Sequence, residues 1–118
     1  MTELEDIKKI AEIEFGDIVS IIYTIGFKLR IELSNKGFID VFLSDKFIDR
    51  FSYHWECKDF QGSIYRYDNF PDKNWQSIET FPYHFHNGSQ NAVEASPFAL
   101  NVIDGFREFM TFVQSKIK

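Results

Sequence analysis

Gly26-Phe27-Lys28-Leu29-Arg30-Ile31-Glu32-Leu33-Ser34-Asn35-Lys36-Gly37-Phe38-Ile39-Asp40-Val41-Phe42-Leu43 decides the fold. Phe27, Leu29, Ile31 and Leu33 alternate with Lys28, Arg30, Glu32 and Ser34, the period of a strand with one dry face and one wet face. Asn35-Lys36-Gly37 is a hairpin-type turn, after which Ile39, Val41 and Leu43 alternate with Phe38, Asp40 and Phe42. Strands joined by so short a turn pair antiparallel.

Upstream, Val19, Ile21, Tyr23 and Ile25 alternate with Ile18, Ser20, Ile22 and Thr24 in a β-branched run, so a strand buried on both faces is expected. Before it, Thr2-Glu3-Leu4-Glu5 has the form of a capping box. A helix to about Glu14 follows, with Leu4, Ile7, Ile10, Ala11 and Ile13 at helical spacing and Gly16 as its stop.

Downstream, Ser44-Asp45-Lys46 turns the chain into a strand over Phe47 to Cys57. Phe47, Asp49, Phe51, Tyr53, Trp55 and Cys57 share one face, and Ile48, Arg50, Ser52, His54 and Glu56 share the other. Asp59-Phe60-Gln61-Gly62 suits a turn before a strand from Ser63 to Asn69, where Arg66 and Asp68 lie with Ile64, opposite Tyr65 and Tyr67. Phe70 to Asn74 reads as an exposed loop, and Pro82 restricts Phe81 to Phe85 to a sheet edge or loop. Asn87 to Asn91 reads as another loop. Ser96-Pro97 gives a cap and a first helical position for a final helix whose apolar stripe is Leu100, Ile103, Phe106, Met110, Val113 and Ile117. The expectation is one α+β domain over residues 1–118, a mostly antiparallel sheet of five to six strands with an N-terminal and a C-terminal helix on one face.

Composition narrows the function. The chain is 44% hydrophobic and 18% aromatic, with fourteen phenylalanines, which excludes disorder and predicts a core of rings. Its net charge of -5 repels a polyanion at long range, so nucleic acid would have to meet a local basic patch. Cys57 is the only cysteine, which excludes an intramolecular disulfide and cysteine-built zinc sites. An acidic start at Glu3, Glu5 and Asp6, with no apolar run of membrane-spanning length, leads to the expectation of a cytoplasmic protein with no membrane partner.

The chemistry-bearing residues gather between Phe51 and Gly88, where all three histidines and both tryptophans lie. His54 and Glu56 share one strand face, Arg66 and Asp68 share a face of the next strand, and His84 and His86 are two apart. Convergence of these would assemble imidazoles, carboxylates and a fixed cation, the parts of an acid-base or phosphate-handling site. The plainer alternatives are a half-buried structural His54 and an ion pair of Arg66 with Asp68 or Glu56. A metal on His84 and His86 with Asp68 or His54 lacks a third ligand fixed by spacing, so neither metal nor cofactor is expected. Cys57 precedes Lys58 but reads as a small core residue. No glycine-rich phosphate loop, nucleophile elbow or metalloprotease helix motif is present.

Tyr53-His54-Trp55, Arg66-Tyr67-Asp68-Asn69, Thr80-Phe81-Pro82-Tyr83-His84-Phe85-His86-Asn87-Gly88 and Val93-Glu94-Ala95-Ser96, in that order before a closing helix, resemble the TumE-type toxin family over roughly residues 17 to 117. The resemblance implies a toxin-like component of a type II toxin-antitoxin system, a helix-turn-helix antitoxin as partner and RNA as target. Two stretches depart from the family pattern. Phe70-Pro71-Asp72-Lys73 stands where proline and histidines are common, and Tyr83-His84-Phe85-His86 where the family pattern has His-His-Lys-His.

The leading expectation is a metal-independent ribonuclease: Arg66, with Tyr67 and Asp68, holds the substrate, His84 and His86 share acid and base roles, and His54 orients or protonates. The alternative is a catalytically inert interaction module that binds an antitoxin, or its own copy as a homodimer, through an exposed sheet face.

Overall fold

The computed structural model describes residues 2–34, 37–57 and 63–117. In chain order the elements are α1 (Glu3–Glu14), β1 (Val19–Ile25), β2 (Lys28–Leu33), β3 (Phe38–Leu43), β4 (Phe51–Cys57), β5 (Ser63–Asp68), a 3-10 turn (Lys73–Trp75), β6 (His84–Gly88), β7 (Val93–Ala95) and α2 (Val102–Ile117). The strands form one antiparallel sheet in the order β1-β2-β3-β4-β5-β6-β7. The α+β architecture is as expected, but the strands among the described residues number seven rather than five or six.

The core is a single cluster. Leu29, Ile31 and Leu33 of β2, Ile39 and Val41 of β3, Phe51, Tyr53, Trp55 and Cys57 of β4, Tyr65 and Tyr67 of β5 and Phe85 of β6 are buried with Ile7, Ile10 and Ala11 of α1 and Val102, Phe106, Phe109, Met110 and Val113 of α2. Aromatic rings meet edge to face through it, as in Tyr53 with Phe106 at 5.3 Å and Phe85 with Phe98 at 5.1 Å, the geometry their quadrupoles favour. Two buried phenols find carbonyl partners near the start of α2: the Tyr53 hydroxyl donates to Val102 O and the Tyr67 hydroxyl to Ala99 O, both at 2.7 Å. Arg107 of α2 clasps the Glu14 carboxylate of α1 at 3.0 to 3.1 Å.

Several sequence expectations are corrected. β1 is an edge strand, and its β-branched run is largely exposed instead of buried on both faces. Phe47 to Asp49 do not belong to β4. Ser44 Oγ accepts from the amides of Lys46 and Phe47, Asp49 has φ 61, and Phe47 and Ile48 stand exposed. Phe51 begins the ladder, with its amide donating to Asn69 Oδ1 at 2.8 Å.

β6 is an interior strand, not an edge or loop, because Pro82 lies just before it and withdraws no ladder amide. α2 starts later than Ser96-Pro97. Ser96 Oγ closes a turn onto the Phe98 amide, while Asn101 Oδ1 accepts from Asp104 N at 2.8 Å in the manner of an N-cap. Leu100 is therefore outside the helix and half exposed. The turn expected at Asp59 to Gly62, and Asn35-Lys36 of the hairpin turn, lie outside the described residues. No helix among the described residues is long and apolar enough to cross a membrane.

Candidate active site on the open sheet face

The helices cover one face of the sheet, so every second residue of β2 to β6 faces away from them. Register turns those residues into rows. Arg30 pairs with Asp40, Asp40 with His54, His54 with Arg66, and Arg66 with His86, a continuous line across five strands. Beside it, Phe42 pairs with Ser52, Ser52 with Asp68, and Asp68 with His84. Directly paired side chains stand about 5 Å apart at Cβ, so Arg66 has His54 on one side and His86 on the other, and His84 stands beside Asp68.

Asp68 is the centre of this group. It is buried, with Oδ1 3.2 Å from His84 Nε2 and Oδ2 3.8 Å from His86 Nε2. Both histidines are turned the same way by backbone carbonyls. His84 Nδ1 donates to Pro82 O and His86 Nδ1 donates to Gln90 O, each at 2.9 Å, since a carbonyl has no proton to give. Each Nε2 is thereby aimed at the carboxylate. Burial pushes His86 below the ordinary histidine range, although the Gln90 carbonyl and Asp68 pull the other way.

Arg66 approaches from β5, with Nε 3.3 Å from Ser52 Oγ and 3.7 Å from Asp68 Oδ2. It lines two cavities. One, of about 480 Å³, has Asp68, Trp75, His84 and His86 in its wall; the other, of about 450 Å³, has Arg30, Asp40, His54 and Phe70. His54 thus sits across Arg66 from the other imidazoles instead of among them. Its Nε2 is 3.7 Å from Glu56 Oε2, and burial followed by the Arg66 charge lowers its pKa.

Arg30, exposed in the sequence pattern, is committed: it grips Asp40 at 2.8 and 3.0 Å and stacks over Phe38. Tyr67, expected to touch substrate, faces the helices and is buried, with its hydroxyl donating to Ala99 O. Cys57 also faces the core, and burial pushes its thiol up to about 12, which removes it as a nucleophile at neutral pH.

Asp40 and Ser52 also line the His54 cavity, and Trp75 the cavity beside Asp68. Trp75, in the turn before β6, lies 6.4 Å from His84 and 6.3 Å from His86 between ring centroids. No periodicity marks it, because one 3-10 turn is too short to show any. Asp40 was readable from hairpin parity, which sets it on the same face as Arg30.

The family model described as Toxin TumE matches residues 9–117. The chain belongs to the TumE toxin family. No curated protein and no solved structure matches it. Within the TumE pattern the departures now have positions. Phe85 packs in the core against Tyr65, Phe98 and Phe112, and Tyr83 packs beside Phe51 and Tyr67, so both lie on the side of the sheet away from Asp68. The Tyr83 and Phe85 departures remove no group from the Asp68 cluster. Asp72 instead caps the 3-10 turn by accepting from Asn74 N at 2.9 Å and helps wall the larger cavity.

Proposed function

We propose that this TumE-family protein is the toxin of a type II toxin-antitoxin pair and cleaves RNA at the open sheet face. The observation that carries the reading is the row in which Arg66 stands between His54 on one side and His86 on the other. Strand spacing sets the two imidazoles roughly 10 Å apart with the guanidinium between them. In-line displacement at phosphorus needs proton transfer on opposite sides of a phosphate held by a cation, and this row supplies that layout.

His54, kept neutral by burial and Arg66, takes the proton of a ribose 2′-hydroxyl as its oxygen bonds to phosphorus. Glu56 steadies the imidazolium so formed. The bond from phosphorus to the 5′ oxygen breaks, and that oxygen takes a proton from a water in the cavity walled by Asp68, His84 and His86, leaving a 2′,3′-cyclic phosphate, a 5′-hydroxyl and a hydroxide that the His54 imidazolium neutralises. Arg66 offsets the charge that builds on the equatorial oxygens. Phe42 and Phe70, 6.0 Å apart at the mouth of the His54 cavity, offer apolar faces on which a base can stack.

A second reading, a catalytically inert binding module, is favoured by the edge strand β1, where Ile21, Ile25 and the adjoining Phe27 are 54%, 43% and 92% exposed. An unpaired apolar edge of this kind suits an antitoxin strand or a second copy. Expression of the wild type and of Arg66→Ala without a neighbouring antitoxin separates the readings. Growth arrest with RNA breakdown in the wild type alone is expected; a harmless wild type with intact RNA would leave only the binding module.

A further inference from the structure

We infer that Asp68, His84 and His86 form a three-donor site for a divalent transition metal of the zinc type, in place of the metal-free cluster that sequence spacing suggested. Metal binding here stands on geometry alone, while its use in RNA cleavage rests on the function proposed above.

The three side chains come from the adjacent strands β5 and β6, and all are at most 5% exposed. Their donor atoms lie within 4.8 Å of one another. In a tetrahedral zinc site with bonds of about 2.1 Å, neighbouring donors stand roughly 3.4 Å apart. Asp68 to His84 is 3.2 Å and Asp68 to His86 is 3.8 Å, so small rotations suffice to place one ion against all three.

Orientation strengthens the inference. A histidine that ligates a metal through Nε2 commonly donates its Nδ1 proton to a carbonyl or carboxylate, which fixes both tautomer and ring plane. Both histidines here already make that bond, to Pro82 O and Gln90 O. What remains at each ring is an Nε2 directed at the Asp68 carboxylate, and a single cation between them would satisfy all three donors together. Two imidazoles and one carboxylate are the donor set of hydrolytic zinc sites, with the fourth position left for water or substrate. The cavity bounded by Arg66, Trp75 and Asn91 opens onto the cluster and provides that position. Arg66, 3.7 Å from the same carboxylate, stands where it can hold a phosphate whose oxygen reaches the ion.

The test uses the full-length protein, stripped with a chelator and resupplied with Zn²⁺ or Co²⁺. Elemental analysis after desalting is expected to find one zinc per chain, and Co²⁺ is expected to give the strong visible bands of low coordination. Trp75 provides a second readout through its fluorescence, with Trp75→Phe as control. Asp68→Asn, His84→Gln and His86→Gln should each weaken binding by about tenfold or more. Should a variant fail to fold, the wild type still decides: no retained zinc and no cobalt bands in folded protein overturn the site. Undiminished binding in a folded Asp68→Asn, His84→Gln double variant overturns it equally. RNA cleaved by metal-free protein that takes up no ion sinks the metal and keeps the ribonuclease; stoichiometric zinc with intact RNA keeps the site and sinks the ribonuclease.

Discussion

Toward the helices β4 and β5 present Phe51, Tyr53, Trp55, Tyr65 and Tyr67; toward the cavities the same strands present Ser52, His54, Glu56, Arg66 and Asp68. The first set meets aromatic rings and aliphatic side chains, and its two tyrosine hydroxyls near the start of α2 have carbonyl acceptors. The second meets charges at 3.2 to 3.8 Å. Because the period is two, adjacent residues answer to different physics: one substitution should change stability and its neighbour should change chemistry.

The sharpest test of that division is Phe106→Ala, which empties a fully buried ring site against Tyr53. It should destabilise the fold by about 3–5 kcal/mol. An unchanged thermal midpoint would show that the helix-covered face is not where stability resides. On the other face, Arg66→Ala should lower RNA cleavage by about 10²–10³-fold, as loss of a charge-stabilising donor does. Its stability should shift by only about 0–1 kcal/mol, because the guanidinium is part-exposed and its closest contact is a hydroxyl. A large loss of stability would break the comparison.

Gly105→Ala probes the contact of α2 with the helix-covered face. A Cβ there would stand 2.8 Å from Ala99 O and 3.1 Å from a Tyr67 ring carbon, the two partners of one hydrogen bond. The expected loss is about 1–3 kcal/mol, with cleavage by the remaining folded protein also reduced because Tyr67 precedes Asp68.

The smallest effect concerns pH. The folded pKa of His54 lies below its ordinary 6.5, so the unfolded chain binds more protons as pH falls through that value. Stability should therefore decline from pH 6.5 downward until the folded value is passed. His54→Gln should flatten the decline without removing it, since His86 is depressed in the same direction. An unaltered pH profile of the thermal midpoint would show that His54 is not held neutral.

Parity was legible in the sequence. Leu29, Ile31 and Leu33, and Phe51, Tyr53, Trp55 and Cys57, are buried as alternation required, and the shared faces of His54 with Glu56 and of Arg66 with Asp68 followed from it. Register was not legible, because alternation is unchanged by a slide of two residues. Only the pairing of Arg66 with His54 and His86 shows which charges meet. His84-Phe85-His86 escaped as a strand because three residues carry too little pattern to outweigh Pro82. Ser96-Pro97 misled for the opposite reason, since a serine hydroxyl closes a tight turn with the same bond by which it caps a helix. In β1, β-branched residues record strand propensity and say nothing about burial at a sheet edge.

The alternation Tyr65, Arg66, Tyr67, Asp68 in β5 has a consequence for how the chain reaches this structure. A slip of one residue against β4 would drive Arg66 and Asp68 among the rings beneath the helices and turn two tyrosines out to water. Each such error strands a charge in an apolar interior and exposes aromatic surface together, so the misaligned ladder is rejected from both sides. The residues assigned to chemistry also proofread the sheet, and a variant that replaces Arg66 and Asp68 with apolar residues would lose the penalty that keeps β5 in register.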